Sequence, residues 1–471
     1  MAGFGPRFLE GNYGPIGMEC DAPHLPVAGE LPRGLEGTLY RNGPDPQFPP
    51  PDPAQHHWFS GDGMVHAFTL SSGRASYRNR WVRTAKWRAE AAAGRSLLAG
   101  YGPAPRGDGA GFADEGTANT NVIRHAGRLL ALEEGHLPVE LDPATLATRG
   151  VQRFGGALDG PFTAHPKLDP ATGELVFFGF CADGALSGAM SWGTLAPDGR
   201  VARFERFEAP YCSLVHDFAV TERHVVFPVL PLSGSAARLR SGAPAFAWEP
   251  ALGGHLGVMR RDRGVASMRW LRVESCFVFH VLNAWEEGDR ILVDVMQHDE
   301  PTLFPRADGT AAGAGVDGQG YLTRWTLDLG AGGADAVARA RLDDTGGEFP
   351  RIDERRTGLR NRYGAFAGRS GRRGAGGELD SVVWLDLRAG RHARFALPAG
   401  DAVSEPVFVP RHASAGEGDG WLLVVAWRGE ERRSDLLVFD AGGIADGPVA
   451  TVRLSHRVPF GFHGNWVPAA A

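Results

Sequence analysis

Hydrophobic residues in this chain fall in short runs of five to nine, and turn residues separate them. Runs at 129–133, 175–180, 224–230, 290–296, 321–329, 381–387, 421–427 and 435–440 are rich in Val, Leu, Phe and Trp. Asp142-Pro143, Asp198-Gly199, Glu287-Gly288-Asp289 and Gly418-Asp419-Gly420 punctuate them. β-branched and aromatic residues bounded by Gly, Pro and Asp predict strands. Sustained helical periodicity is scarce, and the best helical candidate is 84–99, where alanines and leucines surround a few charges. So many strands at short spacing exceed one sandwich and suggest four-stranded sheets arranged radially, a propeller, which leaves few exposed edges. A large sandwich or barrel also fits the pattern, whereas a 40-residue repeat with a Trp-Asp signature is missing. Proline or glycine enrichment marks 48–55, 307–320 and 368–377 as loops. Strand-like character continues on both sides of each loop, so residues 1–471 are expected to form one domain.

Composition narrows the class of function. With 43% hydrophobic residues the chain can bury a large core, and with 22% charged residues, a net charge of −6 and no long single-sign run it does not read as a nucleic-acid binder. A small molecule is the expected partner. Residues 1–30 lack a basic start followed by an apolar stretch, and no apolar run reaches the roughly 20 residues that cross a bilayer. Four scattered cysteines, Cys20, Cys181, Cys212 and Cys276, form no CxxC pair. That usage fits a reduced compartment, and a cytoplasmic location is the expectation.

Sixteen histidines are present, and four stand out by context. His165 follows Phe162-Thr163-Ala164, His216 follows Ser213-Leu214-Val215, His280 follows Phe277-Val278-Phe279 and His463 follows Phe460-Gly461-Phe462. A neutral imidazole at the edge of such stretches is costly to bury unless its nitrogens find partners, and a metal is one such partner. The spacing is not that of a helical HExxH site, but the inner strands of a propeller bring distant residues to one axis. Imidazole donors suit iron, copper or zinc rather than calcium or magnesium. Ligating histidines usually donate their outer N–H to a carboxylate or carbonyl. Glu134, Glu348 and Glu405 stand in apolar surroundings where that role, turn capping or a surface pair are the alternatives.

The same segments resemble the carotenoid cleavage oxygenase family across nearly the whole chain. The resemblance runs from Leu31-Pro32-Arg33-Gly34-Leu35-Glu36-Gly37-Thr38-Leu39-Tyr40-Arg41-Asn42-Gly43-Pro44 through Gly61-Asp62-Gly63-Met64-Val65-His66 and Ala118-Asn119-Thr120-Asn121. It continues through Glu348-Phe349-Pro350-Arg351-Ile352-Asp353 and Ser404-Glu405-Pro406-Val407-Phe408-Val409-Pro410 to Gly461-Phe462-His463-Gly464. It implies an all-β, seven-bladed propeller with a few short helices and loops capping the active-site face. It implies ferrous iron on the axis, bound by His165, His216, His280 and His463, with Glu134, Glu348 and Glu405 behind them. His56, His57, His66 and His136 are left as structural or tunnel-lining.

The implied chemistry is oxygen insertion across a conjugated C=C bond, giving aldehyde or ketone products from O2 and a hydrophobic alkene. The phenolic branch of the family, acting on stilbenoids, isoeugenol or vinylphenols, is favoured over the apocarotenoid branch. Phe59 and Tyr101 are the residues that resemble it, and Glu133 stands where lignostilbene enzymes commonly carry lysine. Glu133 then accepts a proton or hydrogen bond from a phenol, or lines a polar tunnel mouth. Phe304 is a further pocket candidate. The competing expectations are an ester-cleaving isomerase of the same fold and an apocarotenoid carrier. Residues 91–101 offer only a modest apolar patch, enough at most for weak contact with a membrane surface.

Overall fold

The computed structural model describes residues 6–97, 116–312, 318–331, 336–371 and 378–469. Seven antiparallel sheets surround one axis, so the radial arrangement is the one adopted. From the inside outward, blade 1 contains Gly464–Pro468, Gly37–Pro44, Gly63–Ser71, Arg74–Trp81 and Cys20–Ala22. Blade 2 contains Asn121–His125, Arg128–Leu132, Val139–Leu141 and Thr148–Val151, and blade 3 Lys167–Leu168, Leu175–Phe180, Ala189–Leu195 and Val201–Glu208. Blade 4 contains Ala219–Val220, His224–Val229, Gly254–Arg260 and Arg269–Val273, with the hairpin Leu232–Gly234 and Phe246–Trp248 inserted. Blade 5 contains Phe277–Glu287, Arg290–His298, Tyr321–Asp328 and Val337–Arg341, and blade 6 Gly347–Arg351, Tyr363–Gly368, Ser381–Asp386 and Arg391–Ala396. In blade 7 the inner pieces Ala402–Val403 and Val407–Pro410 are followed by Gly420–Arg428, Arg433–Asp440, Ala450–Arg453 and finally Val27–Gly29.

Both ends of the chain therefore close the ring. A segment near the N-terminus supplies the outer edge of blade 7, and one near the C-terminus the inner edge of blade 1.

The continuous apolar runs follow from this architecture. Successive side chains of a strand point to opposite faces, and each face of a middle strand packs on a neighbouring blade. In blade 2, Leu129 and Ala131 pack toward blade 1 with Val65 and Ala67, while Leu130 and Leu132 pack toward blade 3 with Leu175 and Phe177. In blade 7, Leu423 and Val425 join Leu39 and Phe68 of blade 1, and Leu422 and Val424 join Ala365 and Val382 of blade 6. Among the described residues the core comprises seven such clusters, one between each pair of neighbouring blades. Burial on both faces removes the alternation that a half-exposed strand would show.

The predicted helix is present but shorter than 84–99. Its span is Ala85–Ala93, capped by the Thr84 hydroxyl accepting from the Trp87 N–H. Gly94 then turns left-handed, with φ at 64°, which ends the helix where a side chain would be strained.

Candidate metal centre

Each of the four singled-out histidines lies on, or just before, the innermost strand of a different blade. His165 precedes Lys167–Leu168 and His216 precedes Ala219–Val220. His280 lies within Phe277–Glu287, where the register with the next strand shifts between Val278 and Val281. Such an irregularity re-aims a side chain, here toward the axis. His463 directly precedes Gly464–Pro468, and its N–H bonds to Thr120 O at 3.0 Å. The turn before it passes close to blade 1: a Cβ on Gly461 would stand 2.7 Å from Asn42 O, so only glycine fits.

Their ring nitrogens lie within 4.8 Å of one another, and all four residues are buried. The Nε2 atoms of His165 and His216 are 3.0 Å apart, and those of His280 and His463 are 3.1 Å apart. Three rings are held from behind. His216 Nδ1 donates to Glu134 at 2.7 Å, His463 Nδ1 donates to Glu405 at 2.8 Å, and His280 Nδ1 donates to Glu348. Glu348 also accepts from His298 Nε2 at 3.0 Å and from the Phe349 N–H at 2.6 Å. Glu405 accepts from the Gly464 N–H at 2.9 Å and pairs with Arg351 at 2.9 Å.

These bonds determine where the protons are. With Nδ1–H given to a carboxylate, the Nε2 atoms of His280 and His463 are bare lone pairs facing each other at 3.1 Å. They cannot hydrogen-bond to each other, and a cation between them is what makes the arrangement favourable. Two nitrogens each about 2.1 Å from one metal and at right angles to it stand about 3.0 Å apart, which both pairs match. Four neutral imidazoles suit a first-row transition metal.

Burial disfavours the charged form of both the rings and the carboxylates, and their partners decide the outcome. It drives His165 well below the usual histidine range, and the three neighbouring histidines add to the effect. Burial brings His463 down to about 4 although Glu405 opposes it. For Glu405 burial raises the carboxyl, but Arg351 and His463 outweigh it and hold it at about 2. Glu348, also raised by burial, is held well below the ordinary carboxylate range by His280 and His298. Glu348 and Glu405 thus stay charged although buried, while at His216 burial is outweighed by Glu134 and Asp217 and the imidazole's pKa is raised.

A cavity of about 820 Å³ opens above the quartet, and His216, His280 and His463 reach its wall. Trp58, Phe59, Phe279, Phe349, Phe460 and Phe462 supply most of its apolar lining. A smaller cavity of about 100 Å³ lies on the other side of the histidines, lined by Lys167, Asp217 and Arg351 among others.

Phe59 and Glu133 therefore both face the large cavity. Glu133 accepts from the Gly135 N–H at 3.0 Å, from the Thr117 hydroxyl at 3.2 Å and from His136. Burial raises its carboxyl, yet His136 and these N–H groups bring it below the ordinary value. Phe304 is a correction. It is 4% exposed and packs behind the wall, its ring 5.5 Å from His57 and 6.1 Å from Phe59, outside the cavity lining. Tyr101 lies outside the described residues.

Sequence reasoning missed several lining residues, notably Tyr13, His298, Arg369 and Glu378. None belongs to a quoted motif. His298 alone left a trace, as a histidine ending an apolar run.

A seven-bladed propeller carrying four axial imidazoles, three of them backed by glutamate, defines a metalloprotein with its centre under an aromatic cavity. The family model described as retinal pigment epithelial membrane protein matches residues 13–468. Isoeugenol monooxygenase of Pseudomonas nitroreducens is 38% identical over 470 residues, covering 98% of each chain. Lignostilbene-α,β-dioxygenase isozyme III of Sphingomonas paucimobilis is 36% identical, over 98% of this chain and 97% of that one. The crystal structure of Pseudomonas brassicacearum lignostilbene dioxygenase superposes with a TM-score of 0.93 at 36% identity, over the full length of both chains. The chain belongs to this family, that of the carotenoid cleavage oxygenases. No helix among the described residues is long and apolar enough to cross a membrane.

Proposed function

We propose that this protein is an iron(II)-dependent oxygenase that uses O2 to split the conjugated C=C bond of a phenolic alkene into two carbonyl products. The observation that carries this reading is the pair of His280 and His463 Nε2 atoms facing each other at 3.1 Å, beside an aromatic-walled cavity. Ferrous iron held by His165, His216, His280 and His463 would supply the binding and activation of dioxygen.

The chain's own residues do the rest. Glu134, Glu348 and Glu405 keep the proton on Nδ1 and so keep the inner nitrogens available. Trp58, Phe59, Phe279 and Phe462 exclude water and hold a flat conjugated ligand by its faces. Glu133 takes a hydrogen bond from the phenol, pushing electron density toward the alkene. Support for a phenolic rather than an isoprenoid substrate comes from relatives whose names specify isoeugenol and lignostilbene.

The decisive measurement gives iron-loaded protein isoeugenol, 4-vinylphenol, resveratrol and an apocarotenal in air, with O2 uptake and product masses recorded. Aldehydes from the phenolic alkenes are expected. Cleavage of the apocarotenal alone would overturn the substrate class, and activity without O2 uptake would overturn the oxygenase. Glu133→Ala should lower turnover of a 4-hydroxystyrene by about tenfold more than that of its 4-methoxy analogue, the worth of one charge-assisted hydrogen bond. Equal losses would remove Glu133 from the site.

A further inference from the structure

The cavity has a second polar end. Tyr13 lies on the N-terminal segment before blade 1, its ring wedged edge-on between Phe8, Trp58 and Phe460 at 5.4, 5.2 and 4.8 Å. Three edge-to-face contacts leave the ring little freedom, and its hydroxyl donates to Glu378 Oε2 at 3.3 Å. Glu378 and Arg369 stand at the two ends of the blade 6 connection between Tyr363–Gly368 and Ser381–Asp386. Both line the large cavity together with Tyr13. Burial raises the Tyr13 phenol and the Glu378 carboxyl alike, as befits groups drawn out of water.

Where this end lies follows from the topology. Glu133 extends from blade 2 and Glu378 from blade 6. Around a ring of seven those blades are three steps apart, the greatest separation the ring allows. The histidine quartet lies on the axis between them. At about 820 Å³ the cavity is near the upper end of ordinary ligand sites, with room for more than one aromatic ring.

The chemistry of the second end selects a neutral hydroxyl. A carboxylate ligand would meet Glu378 with like charge, and an ammonium would meet Arg369 and Arg7, which lines the same end, in the same way. A hydroxyl donates to the one and accepts from the other, or from Tyr13. The geometry points to Tyr13, Glu378 and Arg369 as a subsite for a hydroxyl on the far ring of the substrate, which makes that substrate a stilbene hydroxylated on both rings rather than a single-ring propenylphenol. This rests on the proposed cleavage of phenolic alkenes and narrows it.

Two probes isolate the subsite: 4,4′-dihydroxystilbene and 4-hydroxystilbene share the reacting bond and one phenol and differ only in the far hydroxyl. The metal-loaded protein should bind the first about tenfold more tightly in an anaerobic tryptophan-fluorescence titration, well beyond the factor of about two that its symmetry supplies. Glu378→Ala and Tyr13→Phe should shrink that ratio, and kcat/KM in air should follow it. A ratio of about two in the unaltered protein, or equal weakening of both ligands in the variants, would overturn the subsite. Absence of O2 uptake with either stilbene would instead remove the oxygenase reading, while the anaerobic affinities still decide the subsite.

Discussion

His57 shows how much one buried ring can specify. Its Nδ1 accepts the Phe59 N–H at 3.1 Å, which leaves the proton on Nε2, and Nε2–H donates to Leu303 O at 3.2 Å. The ring is 1% exposed and burial brings its pKa down to about 3, against 6.5 in the open chain. Protonation would break the bond that anchors Phe59 in the cavity wall. Because the folded value is depressed, its contribution is complete above pH 6.5 and is lost as pH falls toward about 3. Stability should therefore decline below pH 6.5 by up to about 1.4 kcal/mol per unit from this residue. Urea unfolding at pH 7 and pH 5 measures it, with His57→Gln expected to flatten the difference. At the quartet, His280→Ala should leave metal content well below one equivalent by elemental analysis, since it removes one of the two facing lone pairs.

At the scale of strands, Arg351 ties three blades together. It lies on the inner strand of blade 6, pairs with Glu405 of blade 7 at 2.9 Å, and donates to Gly464 O at 2.8 Å and Asn465 Oδ1 at 2.9 Å in blade 1. Arg351→Met would leave Glu405 buried beside a neutral side chain. The expected cost is about 3 kcal/mol or more, read as a lower denaturation midpoint at unchanged slope. Irregular pairing matters as much as the ion pair. The register shift between Glu348 and Arg351 accompanies Phe349 at a φ of 58°, and another shift flanks His280. Neither is visible as a local sequence signal, because nothing in Phe-Pro or Phe-His-Val requires an extra residue.

At the scale of the molecule, ring closure and metal site are coupled. Gly464–Pro468 is the inner strand of blade 1, and His463 is the residue before it. Deleting residues 462–471 would expose the unpaired edge of Gly37–Pro44 and should yield aggregated protein by light scattering. Full-length His463→Ala should stay monodisperse and lose only the metal. If both behave alike, closure by the C-terminal strand is not what keeps the ring soluble.

The strands and the four histidines stood out as local signals, an apolar run or a polar residue set where solvation fails, whereas the glutamates left turn capping or a surface pair open until the resemblance implied their place behind the rings. The resemblance then supplied the number of blades. Phe304 was misread because an aromatic residue beside a proline looks the same whether it faces a cavity or backs its wall, and only packing against His57 and Phe59 distinguishes them. Tyr13 and Glu378, separated by 365 positions, share no pattern at all. Their meeting depends on the N-terminal segment lying beside blade 6 in a closed ring. Local sequence determines which segments become strands and which polar groups must find partners. Which partners they find is decided by closure, because only a complete circle of blades brings histidines from four different blades to a common axis.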